Sequence, residues 1–200
     1  MQENQKTKLG LQMATDPRWV NIAEMNIEEI LSDHAWCEQK AATTGISLIV
    51  KYAYVDGIID KVTPIVEEEW AHFRMVIEEL KKRNLKLLSP RKDEYVKKLF
   101  ALEKMGLKPK EVMVEKLLIS AMIEARSCER FRLLSIHIQD EGLKAFYREF
   151  MESEAGHYHI FIHLAKTILP ADYVMKRWEE FLLMEADIMR SLELRGDRIH

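Results

Sequence analysis

Two glutamate–histidine pairs, each trailing a lone glutamate, are the residues of this chain best suited to chemistry. Cys37-Glu38 is followed, 31 residues beyond the glutamate, by Glu69-Trp70-Ala71-His72. Cys128-Glu129 is followed, 25 residues beyond the glutamate, by Glu154-Ala155-Gly156-His157. Glu and His at i and i+3 share a helix face, so one helix can aim both at a single point. A glutamate from each of two helices plus a Glu-x-x-His from each of two others is the ligand set of a carboxylate-bridged two-metal site in a four-helix bundle. Four buried glutamates at one level would repel one another, and a pair of divalent cations removes that conflict. Oxygen and imidazole donors without thiolate suit iron or manganese better than zinc or copper(I). Two iron ions are therefore expected. Six protein ligands for two ions leave positions where dioxygen can bind, so the expected reaction is reduction of O2 with insertion of one oxygen atom into a substrate.

A single Glu-x-x-His is usually decoration on a solvated helix face. Here Glu69 and His72 fall in line with Val62, Ile65, Val76 and Leu80. Glu154 and His157 fall in line with Leu143, Tyr147, Phe150, Phe161, Leu164 and Ile168. Such stripes face a core. The expected ligands are Glu38, Glu69, His72, Glu129, Glu154 and His157. The helix around Glu129 offers an alternative in Glu124, about 140° away around the axis, and the matching Cys-Glu dipeptides favour Glu129. His34, one turn before Glu38, reads as a hydrogen-bonded core histidine or as a group orienting a ligand. His137, His159 and His163 read as helix-end or surface residues.

These residues need long helices to carry them. The periodicity predicts helices at about 21–51, 58–83, 91–105, 110–138, 141–168 and 172–194, with a turn at 52–57 and an N-cap at Asp140. The paired glutamates of each hairpin are equidistant from its turn. The fold class predicted is all-α, a ferritin-like four-helix bundle with one crossover helix and an additional C-terminal helix. Residues 1–14 read as a flexible tail and 15–200 as one domain.

The bulk composition agrees. Apolar residues make up 48% and charged residues 32%, and Gly (7) and Pro (5) are too scarce for a turn-dense β fold. No apolar run approaches the 20 or so residues of a membrane span. Residues 1–14 lack an apolar leader core, and the two cysteines form no C-x-x-C pair. Together these features fit a cytoplasmic protein.

The segments Asp33-His34-Ala35-Trp36-Cys37-Glu38-Gln39-Lys40-Ala41-Ala42, Ile123-Glu124-Ala125-Arg126-Ser127-Cys128-Glu129-Arg130-Phe131 and Ser153-Glu154-Ala155-Gly156-His157-Tyr158, with the 69–72 pair, resemble the MiaE family. The resemblance covers about residues 16–170. It implies a non-haem di-iron monooxygenase that hydroxylates the isopentenyl side chain of 2-methylthio-isopentenyladenosine next to the anticodon of tRNA. By matching motifs it carries the same six residues over as ligands. It also implies O2 as co-substrate and a separate reductase as electron donor. One departure is Gly156, where the family pattern has a larger, often basic residue. A ferritin- or rubrerythrin-type iron- or peroxide-handling protein is the alternative reading, and a non-enzymatic helical adaptor a third.

The charge distribution is compatible with an RNA partner. Residues 81–116 hold twelve Lys or Arg and five Asp or Glu, in a chain of net charge −3. Such a run attracts phosphates without sequence preference, although a solvated lysine face looks the same. Arg126, Arg130 and Arg132 are further candidates for RNA contact or for ion pairs. Phe73, Phe131, Phe150 and Phe161 are candidate liners of an apolar channel for the isopentenyl group.

Overall fold

Helices in this chain start and stop where backbone polar groups find a local partner. The computed structural model describes residues 9–200, which form seven α-helices and no strand. The first predicted helix is in fact two, α1 (Arg18–Glu24) and α2 (Ile27–Tyr52). Asn26 makes the break. Its backbone leaves the helical region at φ −130°, ψ 45°, and its side-chain amide donates to Ile22 O at 2.7 Å. Its carbonyl meanwhile accepts from Ile30 N at 2.9 Å and starts α2. One asparagine thus ends one helix and begins the next.

α3 (Ile58–Lys82) follows Gly57, whose φ of 80° supplies the left-handed step of the turn. α4 (Glu94–Phe100) starts later than predicted because Asp93 caps it, accepting from Val96 N at 2.9 Å, and it also ends earlier than predicted. α5 (Pro109–His137) has its proline in the first turn, where no N–H is needed. Asp140 caps α6 (Glu141–Ile168) by accepting from Leu143 N at 2.9 Å, as predicted. α7 (Ala171–Ser191) begins after Pro170. Among the described residues, no helix is long and apolar enough to cross a membrane.

Contacts group the chain into two compact units. One contains Arg18–Lys92 and Arg195–Ile199; the other contains the described residues up to Pro17, Asp93–Leu194 and His200. They are called here the α1–α3 unit and the α4–α7 unit.

In the α1–α3 unit, α2 and α3 form a hairpin across a short turn. Val62, Ile65, Val76 and Leu80 of α3 and Leu48 and Tyr52 of α2 are buried. At Gly45 the helices approach so closely that a Cβ would lie 2.5 Å from Val66 Cγ2. The chain after α3 folds back along α2. Lys86 N donates to Glu28 at 2.8 Å, Leu88 N donates to Ser32 Oγ at 3.0 Å, and Trp36 Nε1 donates to Leu88 O at 2.7 Å. Asp33 of α2 holds the C-terminal segment through Arg198 and the Ile199 amide.

In the α4–α7 unit, α5 and α6 form the second hairpin. Phe131 packs on Tyr147 and Phe150 with ring centroids 5.6 and 5.8 Å apart. Arg177 of α7 makes two 2.6 Å bonds to Glu115 of α5 and lies over the Phe181 ring. Residues 9–17 form a non-helical strap on α5. Leu11 is fully buried, and Met13 O accepts from Arg126 at 2.9 Å. Of the polar stretch read as a tail, residues 1–8 lie outside the described residues.

Candidate metal centre

Each unit presents one buried set of two carboxylates and an imidazole. In the α1–α3 unit the set is Glu38 from α2 with Glu69 and His72 from α3, each turning one donor atom to within 4.8 Å of the others. Glu69 and His72 are three residues apart and so project from one face of α3. His72 Nδ1 stands 3.3 Å from Glu38 Oε2. On the other side of that carboxylate, His34 Nε2 approaches Oε1 at 2.7 Å. His34 is fully buried, with its ring against the Glu38 carboxylate.

In the α4–α7 unit the set is Glu124 from α5 with Glu154 and His157 from α6, again with donor atoms within 4.8 Å. His157 Nδ1 lies 3.9 Å from Glu154 Oε2, while its Nε2 lies 3.5 Å from Ser153 Oγ. The Nδ1 edge of the ring therefore faces the carboxylate. All six of these residues are at most 7% exposed. Two carboxylates and one neutral imidazole in a dry setting suit a divalent cation of the iron or manganese type, and no thiolate competes.

Glu129 stands apart from its set. Its carboxylate accepts from the Thr15 amide at 2.8 Å, from the Thr15 hydroxyl, and from Arg126 Nη1 at 3.0 Å. Arg126 in turn donates from Nε to Glu185 at 2.8 Å, and Tyr95 donates to the same oxygen of Glu185 at 3.2 Å. Burial opposes the charge on Arg126, yet Glu185, Tyr95 and Glu129 more than offset it and hold its pKa above the usual arginine value. The same burial, with the Arg126 charge beside it, pushes Arg130 down to about 10. Both arginines are buried inside this unit, which removes them from the candidates for phosphate contact. A signal for this was present in the sequence: Arg126 and Glu129 are i,i+3 partners on α5.

The remaining sequence candidates sort simply. Gly156 is exposed and a Cβ there would meet open space, so its departure from the family pattern removes no packing contact. His137, His159 and His163 are exposed. Phe131, Phe150 and Phe161 are buried packing residues, and the Phe73 ring lies tilted against those of Trp36 and Trp70. Of the basic run, Lys81, Lys82, Arg83 and Arg91 pair with Glu78, Glu79 and Asp197 within the α1–α3 unit. Lys97, Lys104 and Lys116 pair with Glu94, Glu180 and Glu103 within the α4–α7 unit.

Residues 2–200 match the family model described as tRNA-(MS[2]IO[6]A)-hydroxylase (MiaE). The tRNA 2-(methylsulfanyl)-N(6)-isopentenyladenosine(37) hydroxylase of Pseudomonas putida is 37% identical, over 90% of this chain and 80% of its own. The protein of the same name from Salmonella typhimurium is 28% identical, over 90% of this chain and 84% of its own. Among solved structures, a Synechococcus protein with aldehyde deformylating oxygenase activity superposes with a TM-score of 0.89 at 30% identity, covering 95% of this chain and 94% of that one. The all-α, ferritin-like fold predicted from the helix pattern agrees with that likeness. With its family model matched from residue 2 to residue 200 and a 37%-identical relative of the same description, this chain belongs to the MiaE family of tRNA hydroxylases.

Proposed function

We propose that this protein hydroxylates the isopentenyl side chain of 2-(methylsulfanyl)-N6-isopentenyladenosine next to the anticodon of tRNA, using a two-iron centre, O2 and electrons from a separate reductase. The observation that carries the reading is the match of the whole described chain to one hydroxylase family, in a protein that buries two carboxylate–imidazole sets. The balanced reaction is R–H + O2 + 2H⁺ + 2e⁻ → R–OH + H2O. No flavin or iron–sulfur motif occurs in the sequence, so the two electrons come from another protein.

The proposed ligands are Glu38, Glu69 and His72 from one unit and Glu124, Glu154 and His157 from the other. Glu124 takes the place expected for Glu129, because the carboxylate of Glu129 is already held by Thr15 and Arg126. Iron, when bound, supplies the reduction of dioxygen and the transfer of one oxygen atom. The chain supplies the rest. His34 orients Glu38, the Nδ1 edges of His72 and His157 face carboxylates of their own sets, and burial of all six side chains keeps water from competing. A ferritin- or rubrerythrin-type role uses the same donor chemistry but has no need of tRNA.

Nucleoside mass analysis of tRNA from a strain lacking the gene tests the reading. The hydroxylated nucleoside disappears and its unhydroxylated precursor accumulates, and plasmid-borne protein restores it. Unchanged levels of the hydroxylated nucleoside would overturn the assignment.

A further inference from the structure

The α1–α3 unit carries a row of aromatic side chains that its carboxylate–imidazole set does not use. Trp70 of α3 is 51% exposed. Its ring centroid lies 5.2 Å from that of Phe73, and the Phe73 centroid lies 6.3 Å from that of Trp36 on α2. Phe73 and Trp36 are half-buried, so the row is supported from beneath and open at its Trp70 end. The Trp36 indole is fixed by its N–H, which donates to Leu88 O at 2.7 Å. Trp70 stands about 100° around α3 from Glu69, and its exposure puts it on the outside of the hairpin. The row is therefore not a seat for a reacting group.

The Leu88 contact joins this row to a basic segment. Residues 83–92 hold Arg83, Lys86, Arg91 and Lys92 and no Asp or Glu. Arg83 and Arg91 are paired with Glu79 and Asp197. Lys86, Lys92 and Arg74, one turn beyond Trp70, are exposed and have no carboxylate partner among the described residues. Carboxylates close to the segment are engaged. Glu28 accepts from the Lys86 amide, Asp33 from Arg198 and the Ile199 amide, and Asp197 from Arg91 and Arg195. Exposed Glu67 and Glu68 precede Trp70 on α3 and so lie toward the other end of the row. The surface thus runs from an open indole to a stretch of unneutralised positive charge. A splayed base offers its π face to such an indole, and its phosphates seek such cations. Lysine is depleted at protein–protein interfaces, so the same composition favours a phosphate backbone over a protein partner.

We propose that Trp70, backed by Phe73 and Trp36, stacks a loop nucleotide of the tRNA substrate other than the one to be hydroxylated, while Lys86 and Lys92 hold its phosphates. This rests on the hydroxylase reading and names the surface on which the RNA lies.

The test is the affinity of the full-length protein for a synthetic anticodon stem–loop RNA bearing N6-isopentenyladenosine, measured by fluorescence anisotropy between about 50 and 200 mM salt. Trp70→Ala should weaken binding about tenfold and Trp70→Phe should restore most of it, with iron content unchanged in both. Lys86→Gln combined with Lys92→Gln should flatten the log–log salt slope by about 1.5. Both lysines lie outside the helices, so this pair decides the matter if Trp70→Ala fails to fold. In turnover of the stem–loop, the loss should appear in KM with kcat held. Wild-type affinity and slope in all the variants, or no binding by wild type, overturn the proposal. Unaltered RNA affinity in Trp70→Ala with slower reductase-driven turnover also overturns it, because the face then belongs to the electron donor. In each of these cases the hydroxylated nucleoside of cellular tRNA still decides the hydroxylase reading. RNA binding through this face, by a protein whose loss leaves that nucleoside unchanged, keeps the surface and removes the reading.

Discussion

The two units carry the same short phrase and use it differently. In the α1–α3 unit the glutamate after the cysteine, Glu38, is grouped with Glu69 and His72 and has His34, four residues earlier, against its carboxylate. In the α4–α7 unit the glutamate after the cysteine, Glu129, is bound by Arg126, three residues earlier, and by the strap at Thr15. The carboxylate grouped there with Glu154 and His157 is that of Glu124. The difference lies in the preceding turn. Glu38 has His34 and Ala35 at i−4 and i−3, whereas Glu129 has Ala125 and Arg126. An imidazole leaves a carboxylate able to bind a cation. A buried guanidinium with a second carboxylate behind it fixes the glutamate as a structural anion.

The sharpest way to break this comparison is to neutralise each glutamate of α5. Glu124→Ala should lower hydroxylation by about a hundredfold or more and remove bound iron. Glu129→Gln should keep iron and most activity while costing about 1–3 kcal/mol of stability. If iron is lost from Glu129→Gln and kept in Glu124→Ala, the assignment of the two is reversed. Arg126→Met tests the anion-holding role. It strands Glu129 and Glu185 without their shared cation and should destabilise the fold by about 3–5 kcal/mol, read as a lower midpoint in urea. His34→Leu probes the other unit. With the fold intact, iron affinity should fall about tenfold to a hundredfold, and His34→Gln, which retains a donor, should recover part of it.

The smallest effect concerns Cys128. Its folded pKa of about 11 lies above the unfolded thiol value, so in the native protein at pH 8 only about one thiol in a thousand is ionised. Alkylation of Cys128 should be slow at pH 8 and speed up about tenfold per pH unit until about pH 11. In urea the thiolate appears at lower pH, so the unfolded protein should react about a hundredfold faster at pH 8, and the two profiles should converge as the pH approaches 11. Coincident profiles would mean that the Cys128 thiol is already wet in the native protein.

Much of this was readable before any coordinates. The apolar stripes of α2, α3, α5 and α6 predicted four long helices, and five of the residues grouped in the two sets stood on those stripes. The choice on α5 was not readable, because that helix is buried on nearly every side and both Glu124 and Glu129 count as inward. The Arg126–Glu129 spacing hinted at the answer, but periodicity carries no information about Thr15, a partner 114 residues away. The break at Asn26 was missed for a local reason. A side chain that can end one helix and a carbonyl that can begin the next look like an ordinary polar interruption of a long helix.

The strap also has a consequence for synthesis. Met13 and Thr15 leave the ribosome well before Arg126 and Glu129, which bind them. At about 5–20 residues per second the gap is roughly 6–23 s. During that interval the segment has no native partner, while α2 and α3 can close their hairpin from local contacts. The first stretch to be made is thus among the last to be fixed, and the α4–α7 unit closes over a piece of chain that has waited for it.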